Sequence, residues 1–317
     1  MATPRSTKNS FNASAAKKYL RLGLLSATLL GAGLGYHYLK DDRADIESIP
    51  PSAFVQGEVQ AEKLQAWREN WRDMCVIPGQ QAQPDSTLQP ANTTETRKIR
   101  DVLAQLEREE LVGVGLVRNL KDNGTALCVD PAPGNKHTYY NDMLNTIFIK
   151  RGLNDSHLLM QVVHESRRAM QKSQGMLGRV RIQDELERMR ADFALEADVM
   201  ATTTLVAWRL NQQGRGDLWK LMRGNPIYSD LPTVFTRTIL ETQDEKKATL
   251  AAFDRWYAHE TRMSEAYKEV YFVRSVTGQE RRHLPATENV PNGFFNHLGD
   301  LPDGTNYGAN KSPSIKP

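Results

Sequence analysis

Three side chains in the middle of this 317-residue chain, His164, Glu165 and Glu196, have the types and the order for metal-assisted hydrolysis. On a helix, a His-Glu pair followed one turn later by a second His points two imidazoles at one zinc ion, and the Glu serves as general base. Here the run reads His164-Glu165-Ser166-Arg167-Arg168, so Arg168 stands where the second imidazole belongs. A guanidinium stays protonated and offers no lone pair, so it cannot ligate a metal and would repel one.

These residues need a helix at the right place, and the sequence supplies its signals. Asn154, Asp155 and Ser156 are good N-cap types and Gly175 is a stop. Between them Leu158, Leu159, Val162, Val163, Ala169 and Met170 recur at three- and four-residue intervals, the pattern of a helix buried on one side. Thr146-Ile147-Phe148-Ile149, just upstream, reads as a strand. A second, long helix is expected from near Ile182 to Gly214, with Leu186, Met189, Phe193, Ala197, Met200, Ala201, Leu205 and Trp208 as its apolar stripe. Glu196 falls within or beside that stripe, where a carboxylate is costly to bury unless a cation meets it. Asp192 lies one turn earlier, and Asp198 nearer the opposite flank.

The strand Thr146–Ile149, the segment Leu158–Gln171 and the segment Glu196-Ala197-Asp198-Val199-Met200-Ala201 together resemble an uncharacterised bacterial family of predicted zinc metallopeptidases, with H-E-x-R-H-A-x-Q on one helix and an E-A-D-A-like segment on the next. The resemblance spans residues 95–275. It implies a gluzincin-like site with His164 and Glu196 as zinc ligands and Glu165 as general base. Asp198 would be an outer partner or the alternative ligand. Arg167 matches the family's arginine, and Arg168 departs from it.

Plainer roles compete with each of these. His164 alone reads as a core or helix-surface histidine, and Glu165 and Glu196 as partners of Arg168 in a buried ion-pair network. Asp192 and Asp198 read as solvated or capping charges. His157 is two turns from His164, too far to share a metal by itself; His259, His283 and His297 read as surface residues.

The flanking chain sets the context. A net charge of +3, dispersed along the sequence, argues against nucleic acid as a partner. Residues 1–19 contain Arg5, Lys8, Lys17 and Lys18 and no acid, and residues 20–39 are an apolar run with Arg21 as its one formal charge. That run matches the ~20 residues of a membrane-spanning helix. A cleaved signal peptide would need a better site than Gly33-Leu34-Gly35-Tyr36, and a transit peptide lacks the apolar run. A signal anchor fits both features: a single-pass protein with residues 1–19 cytoplasmic and the rest on the periplasmic side of a bacterial inner membrane. In that oxidising compartment Cys75 and Cys128 could bridge, the alternative being two unpaired buried thiols.

Residues 40–94 are expected to form a linker, an amphipathic helix over Glu58–Met74 (Val59, Leu64, Trp67, Trp71 on one side) and a connector over Pro78–Thr94. Thr96–Leu111 reads as a helix. Val112–Val117 and Ala126–Val129, flanking the turn Lys121-Asp122-Asn123-Gly124, read as a hairpin. Helices are expected over Ala248–His259 and Met263–Val273, and residues 276–317 read as a flexible tail. The fold class is therefore α+β and zincin-like: a small, mostly antiparallel sheet, the His164 helix, then a mainly helical C-terminal half.

Two functions follow. One is a membrane-anchored, non-catalytic binding or scaffold module for proteins or peptides, with a degenerate site and no cofactor. The other is an active zinc-dependent peptidase with an unconventional ligand set. For topology, a reporter fused after Lys311 is expected to behave as exported; cytoplasmic reporter activity would reject the anchor.

Overall fold

The computed structural model describes residues 74–79, 93–130, 137–142, 144–176, 181–182, 185–264, 286–287, 290 and 294–308, which all fall in one compact unit, Leu64–Pro317. The segments read as membrane anchor and as the Glu58–Met74 helix, most of the connector and most of the Met263–Val273 helix lie outside the described residues. Among the described residues no helix is long and apolar enough to cross a membrane.

Strand β1 (Cys75–Val76) is followed by helices α1 (Thr94–Glu107) and α2 (Val112–Asp122), strands β2 (Ala126–Val129), β3 (Tyr139–Asn141) and β4 (Thr146–Ile149), and helix α3 (Asp155–Ser173). Next come β5 (Arg181–Ile182), α4 (Glu185–Gln212), α5 (Asp217–Gly224), α6 (Asp230–Thr242), α7 (Glu245–Trp256), β6 (Ala286–Thr287) and α8 (Phe294–Leu298). The sequence reading placed α1, α3, α4 and α7 but missed α5 and α6 altogether.

The expected hairpin is not there. Val112–Val117 is the start of helix α2, and the Lys121–Gly124 turn ends that helix rather than joining two strands. Val112, Leu116, Val117 and Leu120 are all buried, so the apolar positions repeat with helical period. Tertiary contact then overrides the local β preference of valine. The glycines that looked like strand punctuation serve packing. A Cβ on Gly113 would lie 2.6 Å from the Leu106 carbonyl oxygen, and one on Gly115 would lie 2.3 Å from Pro302 Cβ. Either contact excludes a side chain.

The four-stranded sheet runs β1-β2-β4-β3. Its outer pairs, β1/β2 and β3/β4, are antiparallel, but the central β2/β4 pair is parallel. The sheet is thus mixed, antiparallel at both edges as expected but parallel at its centre, and α2 takes the place of the first hairpin strand. Val76, Leu127, Val129, Ile147 and Ile149 face the helices and join the main core. Cys75 and Cys128 stand directly opposite one another on β1 and β2 and are joined by a disulfide.

Helix α4 is the axis of the helical half. The predicted stripe residues Phe193, Ala197, Met200, Ala201 and Leu205 are buried, but so are Ala194, Val199, Thr203 and Val206 on other sides. A helix apolar all round is one surrounded by neighbours, here α3, α5, α6, α7 and α8. The hydroxyls of Thr203 and Thr204 donate back to the Val199 and Met200 carbonyls at 2.8 Å, so they add no unpaired polar group to this core. Residues 294–308, read from the sequence as part of a flexible tail, also belong to the core: Leu298, Leu301 and Tyr307 are buried.

The bridge makes the first prediction from the fold. A thiol reagent under denaturing, non-reducing conditions is expected to label neither cysteine. Replacing both by Ala should lower stability in denaturant unfolding by ~2–4 kcal/mol.

Candidate functional site

Helix α3 is held at its start by Asn154, whose side chain accepts from the His157 amide at 2.9 Å. His157 also turns its Nδ1 to that same Asn154 oxygen at 2.8 Å, so it is part of the cap. One turn apart further along, His164 and Arg168 face α4 and meet Glu196 there.

The contacts are specific. His164 Nδ1 lies 3.0 Å from Glu165 Oε1, and its Nε2 lies 3.0 Å from Glu196 Oε1. Arg168 Nη2 donates to the other oxygen of Glu196. Glu165 Oε2 accepts from the backbone N–H of Tyr140 at 2.9 Å. Tyr140 is on the edge strand β3, so Glu165 ties the helix to the rim of the sheet. The sequence reading had Arg168 meeting both carboxylates; among the described contacts it meets Glu196, and Glu165 accepts from His164 and from the Tyr140 backbone N–H.

The electrostatics follow from the geometry. Burial works against charge on His164, but the carboxylates of Glu196 and Glu165 outweigh it and push the imidazole pKa from 6.5 up to about 9. Burial likewise works against charge on Glu196, and Arg168 and His164 overcome it, holding the carboxyl far below the usual range. The cluster thus sets two basic side chains, His164 and Arg168, against the carboxylates of Glu165 and Glu196.

This donor set does not fit a zinc ion. Both imidazole nitrogens face carboxylates and are used as donors, leaving no lone pair for a metal. Arg168 contributes a fixed positive charge in place of a ligand. Among the described residues no three His, Cys, Asp or Glu side chains are grouped to hold a metal, so His259 and His297 do not complete a set; His283 is outside the described residues.

A second ionic cluster lies behind the first. Arg167 and Asp198 are fully buried and form a two-point pair, Nε to Oδ2 at 2.7 Å and Nη2 to Oδ1 at 3.0 Å. The other Arg167 donors reach the Leu298 and Asp300 carbonyls, each at 2.8 Å, and Met170 Sδ at 3.2 Å. All five N–H groups of the guanidinium are thereby used. Asp198 also accepts from Gln171 Nε2 at 2.7 Å and from the Tyr307 hydroxyl at 2.6 Å. Burial, reinforced by Asp198, pushes the Tyr307 hydroxyl pKa well above its ordinary value. Asp198 is therefore not a solvated or capping charge, which corrects that reading of the sequence; it is buried and paired with Arg167. Asp192 does sit near the surface, 3.7 Å from Arg188. Sequence reasoning missed Tyr307 completely. Its partners lie far away in the chain, and no local pattern marks it.

The sequence profile described as Putative metallopeptidase family (DUF6782) matches residues 78–309, and the chain belongs to that family. The match extends beyond the 95–275 read from the motifs and takes in the C-terminal segment with Tyr307. No curated protein and no solved structure matches the chain.

Two predictions come from the paired clusters. Arg167→Ala leaves Asp198 buried and unpaired and should cost ~3–5 kcal/mol in denaturant unfolding. Arg168→Ala should cost less, about 1–2 kcal/mol, because the Arg168 side chain is 31% exposed. The raised pKa of His164 makes its contribution pH-dependent. A group whose folded pKa lies above its unfolded value stabilises fully below the unfolded value, 6.5, and that contribution is lost as pH rises through about 9. The melting temperature is expected to fall between those limits, and less so in His164→Gln; an equal fall in both proteins would contradict the assignment.

Proposed function

We propose that this family member is a non-catalytic module: a metallopeptidase fold kept for binding or scaffolding, with Arg168 taking over the metal's electrostatic role. The carrying observation is the Arg168–Glu196 ion pair at the position where the family resemblance calls for a ligand histidine. Charge balance supports it. Removing a dication from a site with two carboxylates leaves them repelling one another in poorly solvated surroundings. A guanidinium and an imidazolium restore the balance through charge-assisted hydrogen bonds. Glu165 supports it too, since both of its oxygens already accept hydrogen bonds rather than waiting for a water.

In this proposal residues 20–39 anchor the protein in the membrane, and the Leu64–Pro317 unit faces the compartment beyond it. Partners are proteins or peptides rather than nucleic acid. The competing reading, an active zinc peptidase with an unconventional ligand set, is favoured by one observation: His164, Glu165 and Glu196 still converge on one spot.

Metal analysis separates the two. Full-length protein purified without chelator is expected to contain no stoichiometric zinc, whereas Arg168→His rebuilds the pair of histidines one turn apart and should gain it. Stoichiometric zinc in the wild type, lost in Glu196→Ala, would overturn the proposal and favour the hydrolase.

A further inference from the structure

Beyond the candidate site, near the C-terminal end of α4, one guanidinium faces three carboxylates. Arg209, in the last turn of that helix, donates from Nε and Nη2 to Glu245 Oε2 at the start of α7, at 3.0 and 2.8 Å. Its Nη2 is also 3.7 Å from Asp303 Oδ2 in the C-terminal segment. Its Nη1 is 3.6 Å from Glu109 Oε1, in the turn between α1 and α2. These last two separations are too long for hydrogen bonds. Arg209 Nη1 is buried and has no acceptor among the described residues.

Charge is in excess here. The Glu109 and Asp303 side chains are 2% and 8% exposed, against 38% for Glu245. Among the described residues Arg209 is the one cation that pairs with any of the three. Arg215, the next arginine along, donates instead to the Gln105 and Arg108 carbonyls. Three ionised carboxylates would thus share one cation, two of them away from water, which favours a proton on one acid. Glu109 is placed to take it. Its Oε2 accepts from the Gly113 amide in the first turn of α2. Burial, reinforced by Glu245, raises its pKa above the ordinary 4.5 in spite of Gly113 and Arg209.

We propose that Glu109 and Arg209 form a proton-controlled latch on residues 299–308. With Glu109 neutral, Arg209 is left to Glu245 and Asp303 and draws the segment onto α4. With Glu109 ionised, the guanidinium is divided among three anions, Glu109 and Asp303 repel one another across it, and the segment loosens. The direction in pH follows. A carboxyl whose folded pKa is raised contributes its stability below the ordinary value, 4.5, and that contribution is lost as pH rises through the raised one. The latch is therefore closed on the acid side and relaxes towards neutrality.

The segment can respond as one piece. The Leu301 amide donates to the Thr305 carbonyl at 2.7 Å and the Tyr307 amide to the Gly299 carbonyl at 3.2 Å, which closes the loop on itself. Asp303 Oδ1 holds the turn between them, accepting from the Thr305 amide and hydroxyl at 3.0 and 2.7 Å. Pro302, next to Asp303, lies against Gly115 on α2, the helix whose first turn Glu109 caps. On its other side the segment reaches the buried ionic cluster, through the Asp300 carbonyl to Arg167 and the Tyr307 hydroxyl to Asp198. Loosening at Asp303 thus bears on the partners of the Arg167–Asp198 pair.

Amide hydrogen exchange of the full-length protein, read by mass spectrometry from 4.5 to neutral pH and corrected for the intrinsic pH dependence of exchange, tests the latch. Protection of residues 299–308 is expected to fall several-fold as pH rises, while the buried α4 residues Met200–Leu205 stay protected. Glu109→Gln keeps an oxygen for the Gly113 amide but carries no charge, so its C-terminal segment should hold the acid-side protection throughout. A flat profile in the wild type, or an equal fall in both proteins, overturns the proposal. Should Glu109→Gln unfold, seen as lost protection in α4, Asp303→Asn makes the comparison from the other side. That variant keeps an oxygen for Thr305 and should abolish the pH dependence; a fall as large as in the wild type overturns the latch.

Discussion

A buried arginine cannot shed its proton, so the surrounding structure has to meet all of its donors. Arg167 imposes that constraint on this fold. Its guanidinium is met by Asp198 from α4, by Met170 one turn on in α3, and by two carbonyls of the C-terminal segment. Remove any one of these partners and a charge or a donor is left dry. The requirement explains why residues far apart in the chain are brought together and why the C-terminal segment is an integral part of the core.

The site on the outer side of the same two helices inherits its geometry from that pair. Arg168 follows Arg167 on α3, and Glu196 precedes Asp198 by two residues on α4, so the buried pair sets the distance over which the exposed pair must reach. Adjacent arginines thus have different energetic weight: Arg167 is enclosed and indispensable to packing, whereas Arg168 is partly open to water and balances charge. Arg167 and Asp198 are wholly buried and paired with one another, whereas Arg168 and Glu196 meet where water still reaches them.

Glu165 links this pair of helices to the sheet. By accepting the Tyr140 N–H it occupies an edge-strand donor that would otherwise be open to pairing. The same bond restrains the carboxylate that family resemblance casts as a general base. On the sheet's other edge, the Cys75–Cys128 bridge joins β1 to β2. Both margins of a small sheet are therefore secured, one by a side chain of α3 and the other covalently.

Much was legible in the sequence because its causes are local. The Asn154 cap, the three-and-four spacing of Leu158 to Met170, the Thr146–Ile149 strand and the long apolar α4 all depend on neighbours in the chain. So did the expectation that Arg168 would meet Glu196, since charge and helix period were enough to suggest it. Tertiary structure decided the rest. Val112–Val117 became helical because Gly113 and Gly115 let backbone and Pro302 approach closely, a contact no local pattern announces. Arg167, Asp198 and Tyr307 were brought together by burial across more than one hundred residues of chain, and burial is a property of the folded surroundings. The sequence by itself carried the two helices that meet at the site and the presence of an arginine one turn after His164. Which arginine is enclosed, which carboxylate it holds and where the C-terminus packs were settled only when distant segments had to satisfy one another's charges away from water.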